Sequence, residues 1–442
     1  MRCKLKFIPH TAELKTFNEI WRMRKLSILV LTLLCTYLPA TAQQGNGNHA
    51  DKGYSPIIPG AERMSTYLPL LKGKAVAVFA NQTSMVKQTH IVDTLLRSGI
   101  KIVKIFSPEH GFRGKADAGE LVSNGLDSKT GLPIVSLYGD HKKPTAADLK
   151  NVDVLLFDIQ DAGVRFYTYI SSLEYVLEAC LENQKPFLLL DRPNPNGFYV
   201  DGPVLDKKFK SFVGMQPVPV VYGMTIGEYS MMLLGEKWLS AKANTTHTYN
   251  ISTKPTADTP FHVQVIKCIN YNHNSLYKLP VAPSPNLREM QSIYLYPSTC
   301  FFEGTVLSEG RGTEKPFQVF GHPALPKNLY AFTPKPNEGA KNSKCFYQQC
   351  YGWNLSGSVD EVLNNTNKKI QLKYLLEAYQ LFPGKDSFFL KNNFFHKLAG
   401  NDVLMQQIKA GHTEEAIRKS WEPALSDFKK IRKKYLLYTD FE

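Results

Sequence analysis

From residue 55 onward the chain alternates short β-branched apolar runs with longer amphipathic stretches. The apolar runs predict strands at 75–79, 102–106, 134–137, 152–159, 187–190 and 263–268. The amphipathic stretches predict helices at 91–97, 169–183 and 225–238; in the second of these Leu173, Val176, Leu177 and Cys180 recur at i, i+3, i+4 and i+7. The run Val152-Asp153-Val154-Leu155-Leu156-Phe157 scarcely alternates, as expected of a strand covered on both faces in a parallel sheet. The predicted architecture over 55–283 is therefore α/β: an open, mostly parallel sheet with helices on both faces.

From about residue 284 the pattern shifts to Pro- and aromatic-rich loops, followed by helical periodicity at 372–382 and 413–438. That predicts a smaller C-terminal α+β domain over 284–442, its first part returning to the sheet. The cluster Lys429, Lys430, Arg432, Lys433 and Lys434 on the last helix reads as a solvated face near a helix C-terminus, where cations are favoured.

The N-terminus changes the charge picture. Arg24 and Lys25 precede an apolar run over 26–38 and the triplet Ala40-Thr41-Ala42, in the order of a signal peptide, and the run is too short to span a bilayer about 30 Å thick. We expect a cleaved signal at 1–42, with Met23 as the true start, a polar linker at 43–54, and export to the periplasm or medium without a membrane anchor. Residues 1–42 carry seven Lys or Arg and two Asp or Glu, so the formal net charge falls from +14 to +9, which weakens any inference of a nucleic-acid partner. Five cysteines remain beyond residue 42, an odd number that argues against a disulfide scaffold; buried thiols are the simpler reading, and Cys345 with Cys350 could bridge.

Candidate chemistry falls directly after predicted strands, where ligands bind in an open α/β sheet. One cluster is Ser107-Pro108-Glu109-His110-Gly111-Phe112-Arg113-Gly114; a second runs from Asp158 through Gln160, Asp161, Gly163, Arg165 and Phe166 to Tyr167; a third is Asp191-Arg192-Pro193-Asn194-Pro195-Asn196-Gly197. Two more lie further on, around Asn286 and Arg288, and in Phe302-Glu303-Gly304-Thr305 with Ser308-Glu309-Gly310-Arg311-Gly312-Thr313. Carboxylates, arginines and amides in this number suit a polyhydroxylated, partly anionic ligand. Structural alternatives exist: Asp158 capping a turn or pairing with Arg165, an ion pair inside a Pro-stiffened 191–197 loop, and His110 as a satisfied loop histidine. Glu109, between Pro108 and His110 in a Gly-bounded turn, has little structural reason to be there.

Two carboxylates flanking a glycosidic bond are one economical mechanism, one protonating the leaving oxygen and the other acting as base or nucleophile. A divalent ion on His110, Asp158, Asp161 and Asp191 is a second reading, although H-E-x-x-H, Cys/His arrays and Asp-x-Asp-x-Asp loops are missing. A non-catalytic binding protein of the cell envelope is a third. The sequence has neither a G-x-S-x-G elbow nor a Walker A loop.

Six ordered blocks over roughly 65–320 resemble the serial motifs of bacterial exo-β-N-acetylmuramidases, glycoside hydrolase family 171. They are Ser107-Pro108-Glu109-His110-Gly111, the stretch from Asp158 to Tyr169, Asp191-Arg192-Pro193-Asn194-Pro195, Gly223-Met224-Thr225-Ile226-Gly227-Glu228, Pro283-Ser284-Pro285-Asn286-Leu287, and the Glu303 to Thr313 block. The resemblance implies a Rossmann-like domain joined to a smaller C-terminal domain with the active site in the cleft between them. It implies removal of non-reducing terminal β-1,4-linked N-acetylmuramic acid from peptidoglycan fragments, in cell-wall recycling or salvage, without metal or organic cofactor. It makes Glu109 the general acid, with Asp161, then Glu309, as the partner carboxylate. The lactyl carboxylate of such a substrate calls for a cation, for which Arg165, Arg192, Arg288 and Arg311 are the candidates. His110, Tyr167, Asn194, Asn286 and Glu303 complete the expected sugar contacts, and Tyr169 could offer a hydroxyl or an aromatic face.

Overall fold

The computed structural model describes residues 55–109, 111–112, 124–245 and 262–442. Seven strands form the main sheet: β1 (Ala75–Ala80), β2 (Lys101–Ser107), β3 (Gly125–Leu126), β4 (Pro133–Ser136), β5 (Val154–Asp158), β6 (Phe187–Leu190) and β7 (Val263–Ile266). Their order is β3-β4-β2-β1-β5-β6-β7, with only the β3–β4 edge pair antiparallel. The chain works outward from β1 through β2 to β4 on one side, then returns beside β1 as β5 and proceeds through β6 to β7. The β1/β5 boundary is thus the topological switch point, where a crevice opens beyond the carboxyl ends of the strands.

The near-continuous apolar runs are explained by what covers them. Val76, Val78 and Ala80 of β1 face a core layer with Leu156 and Leu188, under α1 (Met64–Leu71) and α2 (Ile91–Arg97). Ala77 and Phe79 face the opposite layer, where Phe79 stacks on Phe157 at 4.5 Å beneath α3 (Tyr169–Glu182) and α4 (Ile226–Gly235). Each strand residue alternates sides, and both sides are apolar because both are covered.

Beyond residue 283, α5 (Met290–Thr299) leads to a three-stranded antiparallel sheet, order β8-β10-β9, made of β8 (Val319–His322), β9 (Tyr330–Phe332) and β10 (Cys350–Asn354). Helices α6 (Lys373–Leu381), α7 (Phe394–Ala399) and α8 (Glu414–Lys433) follow. Among the described residues no strand after 283 joins the main sheet, contrary to the expected return. The division at 283/284 does not separate two cores either: residues 56–442 form one compact unit, and one apolar cluster runs from Leu155 and Phe157 through Phe301 and Phe320 to Trp421 and Phe428.

The basic cluster of α8 departs from a solvated face at one position. Arg432 is fully buried, donating to the Gly223 carbonyl and to both carboxylate oxygens of Asp440, while Lys429, Lys433 and Lys434 pair with acids at the surface. Among the described residues no helix is long and apolar enough to cross a membrane. The expected signal peptide and linker lie outside the described residues.

Candidate active site

At the carboxyl end of β2, Pro108 starts a turn closed by the Gly111 N–H donating to the Pro108 carbonyl, with Gly111 at φ 72°. Glu109 stands on this turn. Its Oε1 accepts from the Tyr138 hydroxyl at 2.9 Å and its Oε2 from the Thr168 hydroxyl at 3.2 Å. Tyr138 comes from the segment after β4, and Thr168 is the N-cap of α3, its hydroxyl turned to Glu109 instead of the helix's own amides. Segments that follow three different strands therefore position one carboxylate.

Glu109 lines a cavity of about 470 Å³, within the range of about 300–1,000 Å³ usual for small-molecule sites. The walls come from Tyr138, Gly139 and Lys142 after β4, from Phe166 to Tyr169 after β5, from Phe212 and Val213, and from Ser284, Leu287, Tyr296, Glu303, Arg311, Phe317 and Phe394 beyond them. Aromatic faces dominate this lining, with polar groups at few points. Such a surface suits a sugar, which stacks its C–H face and hydrogen-bonds at its rim.

The same cavity wall carries Glu303 and Arg311. The Arg311 guanidinium donates to Glu303 at 2.5 Å, pairs through Nε with Glu309 at 3.2 Å, and lies over the Phe317 ring at 4.9 Å. Its buried Nη1 has no hydrogen-bond partner among the described residues. Glu309 is buried behind Arg311 and also paired with Lys344 at 2.8 Å. Burial works to raise its carboxyl, but Lys344 and Arg311 outweigh that and hold it below the ordinary carboxylate range. It fixes Arg311 and does not line the cavity, so the expectation of Glu309 as a reacting carboxylate is not met by its position.

Asp161 is likewise absent from the cavity wall. It is 4% exposed and accepts from the Gly163 N–H at 2.7 Å and from the Tyr222 hydroxyl. Burial pushes its carboxyl up to about 6, against the opposing pull of those two donors. Gly163 is required here: at φ 76°, an added Cβ would lie 1.9 Å from Asn194 Oδ1.

The other expected contacts divide in the same way. Arg165 is fully buried and donates to the carbonyls of Pro203, Val218 and Leu398, each at 2.8 Å, tying three distant segments together. Arg192 grips both oxygens of Asp158 at 2.6 and 2.9 Å and the Met85 carbonyl. Asp158 is therefore partnered by Arg192, not Arg165. Asn194 spans the Asn196 amide and the Met224 carbonyl, and Asn286 donates to the Gly339 carbonyl. Arg288 lies in a separate shallow groove, donating to the Pro285 and Glu338 carbonyls. Tyr167 does line the cavity, but its hydroxyl, like that of Tyr169, is spent on the Pro283 carbonyl. His110 lies outside the described residues.

The metal reading fares no better on geometry. Asp158 is held by Arg192, Asp161 by Tyr222 and Gly163, and Asp191 by Gly227, Thr225 and Tyr438. These three carboxylates do not converge, and among the described residues no group of three or more His, Cys, Asp or Glu does. Tyr138, Lys142, Phe212, Tyr296 and Phe317 are among the cavity residues that sequence reasoning missed. Tyr138 through Lys142 follow a predicted strand, so the strand-end rule applied to β4 would have found them; Phe212 carries no local signal.

Comparison with known proteins shows the family and the fold. The family model described as "Exo-beta-N-acetylmuramidase NamZ, N-terminal" matches residues 76–291, and its C-terminal counterpart matches residues 294–438. A relative from Bacillus subtilis (strain 168), "Peptidoglycan beta-N-acetylmuramidase NamZ", is 36% identical, covering 94% of this chain and the whole of that protein. Two crystal structures of DUF1343 family proteins from Bacteroides fragilis NCTC 9343 share the fold. One is 45% identical with a TM-score of 0.77, covering 87% of this chain and 100% of its own; the other is 28% identical with a TM-score of 0.70, covering 87% and 99%.

Proposed function

The chain belongs to the NamZ family of exo-β-N-acetylmuramidases, and we propose that its glycosidase chemistry takes place in the cavity beside Glu109. The protein is a glycoside hydrolase of peptidoglycan, an exo-β-N-acetylmuramidase, and a place in cell-wall recycling fits that activity. The observation that carries the site assignment is the Glu109 carboxylate, presented at a strand end into an aromatic-walled cavity and oriented by two hydroxyl donors.

Glu109 delivers a proton to the glycosidic oxygen as the bond to the anomeric carbon breaks. Tyr138 and Thr168 fix its two oxygens, so the carboxyl is already aimed when the sugar arrives. Across the cavity, Glu303 paired with Arg311 is the second charged element; Asp161 and Glu309 act behind the walls as supports.

The signal-peptide pattern supports an exported enzyme, to be checked by fractionating expressing cells and following the protein into the periplasm or medium. The activity itself is tested with two disaccharides. N-acetylmuramyl-β-1,4-N-acetylglucosamine is expected to release both sugars, whereas the reverse disaccharide, with N-acetylglucosamine at the non-reducing end, stays intact. Cleavage of both, or of neither, would overturn the reading.

A further inference from the structure

An exo-muramidase must distinguish N-acetylmuramic acid from N-acetylglucosamine, and the two differ only in the 3-O-lactyl group with its carboxylate. None of the four arginines expected to meet that charge is placed to do so. Arg165 is enclosed by carbonyls, Arg192 is held by Asp158, Arg288 lies outside the cavity, and Arg311 already faces Glu303 and Glu309.

Among the described residues one other cation lines the cavity. Lys142 is half-buried in its wall, its ammonium 5.5 Å from the centre of the Phe212 ring and bonded to the Gly139 carbonyl of its own loop. No carboxylate among the described residues forms an ion pair with it. The neighbouring Lys143 is the contrast: it points away, onto Glu178 and Glu182 at 2.5 and 2.8 Å. An ammonium carries three donors, and a single carbonyl leaves Lys142 with two to offer.

The loop that carries Lys142 also carries Tyr138, four residues earlier, whose hydroxyl holds Glu109. Phe212, beneath the ammonium, is itself stacked on Tyr175 at 6.1 Å, so the cation rests on a packed aromatic face. Resting on the assignment of this cavity to muramidase chemistry, we infer that Lys142 pairs with the lactyl carboxylate of the bound sugar and selects N-acetylmuramic acid over N-acetylglucosamine. Binding adds a charged partner to the neutral carbonyl, and the charge-assisted hydrogen bond is the stronger of the two. The loop then couples recognition of the lactyl group to the placement of Glu109.

The test crosses Lys142→Met with two substrates, a 4-nitrophenyl β-N-acetylmuraminide and the same glycoside with its lactyl carboxyl converted to the neutral methylamide. On the acid, K142M is expected to lose about 10- to 100-fold in kcat/KM, chiefly through KM, as befits a lost hydrogen bond to a charged group. On the methylamide the wild type and K142M should differ by less than about 3-fold. Lys142→Arg should recover most of the acid activity, and melting temperatures verify that the variants are folded. Equal losses on both substrates, or no loss on the acid, would overturn the inference.

If the wild type turns over neither glycoside, calorimetric titration with free N-acetylmuramic acid and N-acetylglucosamine separates the two claims. Preferential binding of the acid sugar that K142M abolishes would retain Lys142 and remove the muramidase reading. Absence of that preference would remove Lys142's role as well.

Discussion

Asp161→Asn separates support from chemistry at the most motif-rich position of the sequence. Burial raises the Asp161 carboxyl from 3.8 to about 6 in the folded protein. Because the folded state binds this proton more tightly than the unfolded chain, the associated stability is fully present below about pH 4 and is lost as pH rises through about 6. At about 1.4 kcal/mol per pH unit, the gap amounts to about 3 kcal/mol. Asparagine keeps an oxygen to accept from Gly163 and Tyr222 but never ionises. D161N should therefore gain on the wild type by about 3 kcal/mol between pH 4 and pH 7, read by urea unfolding across that series. Its kcat/KM on a muraminide should stay within about 10-fold of the wild type. A stability difference that is flat or opposite in sign with pH would refute the burial argument. A folded D161N with activity reduced more than about 10³-fold would return Asp161 to the reaction.

Arg165→Met should cost about 3 to 5 kcal/mol, because three carbonyls at Pro203, Val218 and Leu398 lose one shared buried donor; a loss of unfolding free energy with KM nearly unchanged is the expected pattern. Gly163→Ala forces a Cβ onto Asn194 at positive φ and should lower stability by at least about 1 to 3 kcal/mol, again by urea unfolding. Glu303→Gln releases one carboxylate from Arg311 at the cavity wall, and kcat/KM for the muraminide should fall by about 10-fold or more while the melting temperature changes little.

Much of the sheet was legible because buried parallel strands leave an unmistakable mark. The runs around Val78, Leu156 and Leu188 are apolar on both alternations, and the helices between them keep a 3.6-residue period. Glu109 was legible for a related reason: a carboxylate in a Gly-bounded turn at a strand end has few local partners to satisfy. Arg165, Arg192 and Asn194 occupy equally polar strand-end segments, yet they turn inward to hold loops together. Nothing local distinguishes them, since Arg165 is claimed by carbonyls 38, 53 and 233 residues away. Lys142 was missed for the converse reason. It stands beside the ion-paired Lys143 in an ordinary basic dipeptide, and only the position of Phe212 and the cavity separates their roles.

The assignment of Glu109 as proton donor is tested most directly by measuring kcat/KM of Glu109→Gln on two substrates that differ in leaving group. A sugar leaves only with its oxygen protonated, whereas 4-nitrophenolate leaves readily without help. With Glu109 as the general acid, E109Q should lose about 10²- to 10⁴-fold on N-acetylmuramyl-β-1,4-N-acetylglucosamine and much less on the 4-nitrophenyl muraminide. Equal losses on the two substrates, or undiminished cleavage of the disaccharide by the folded variant, would contradict it.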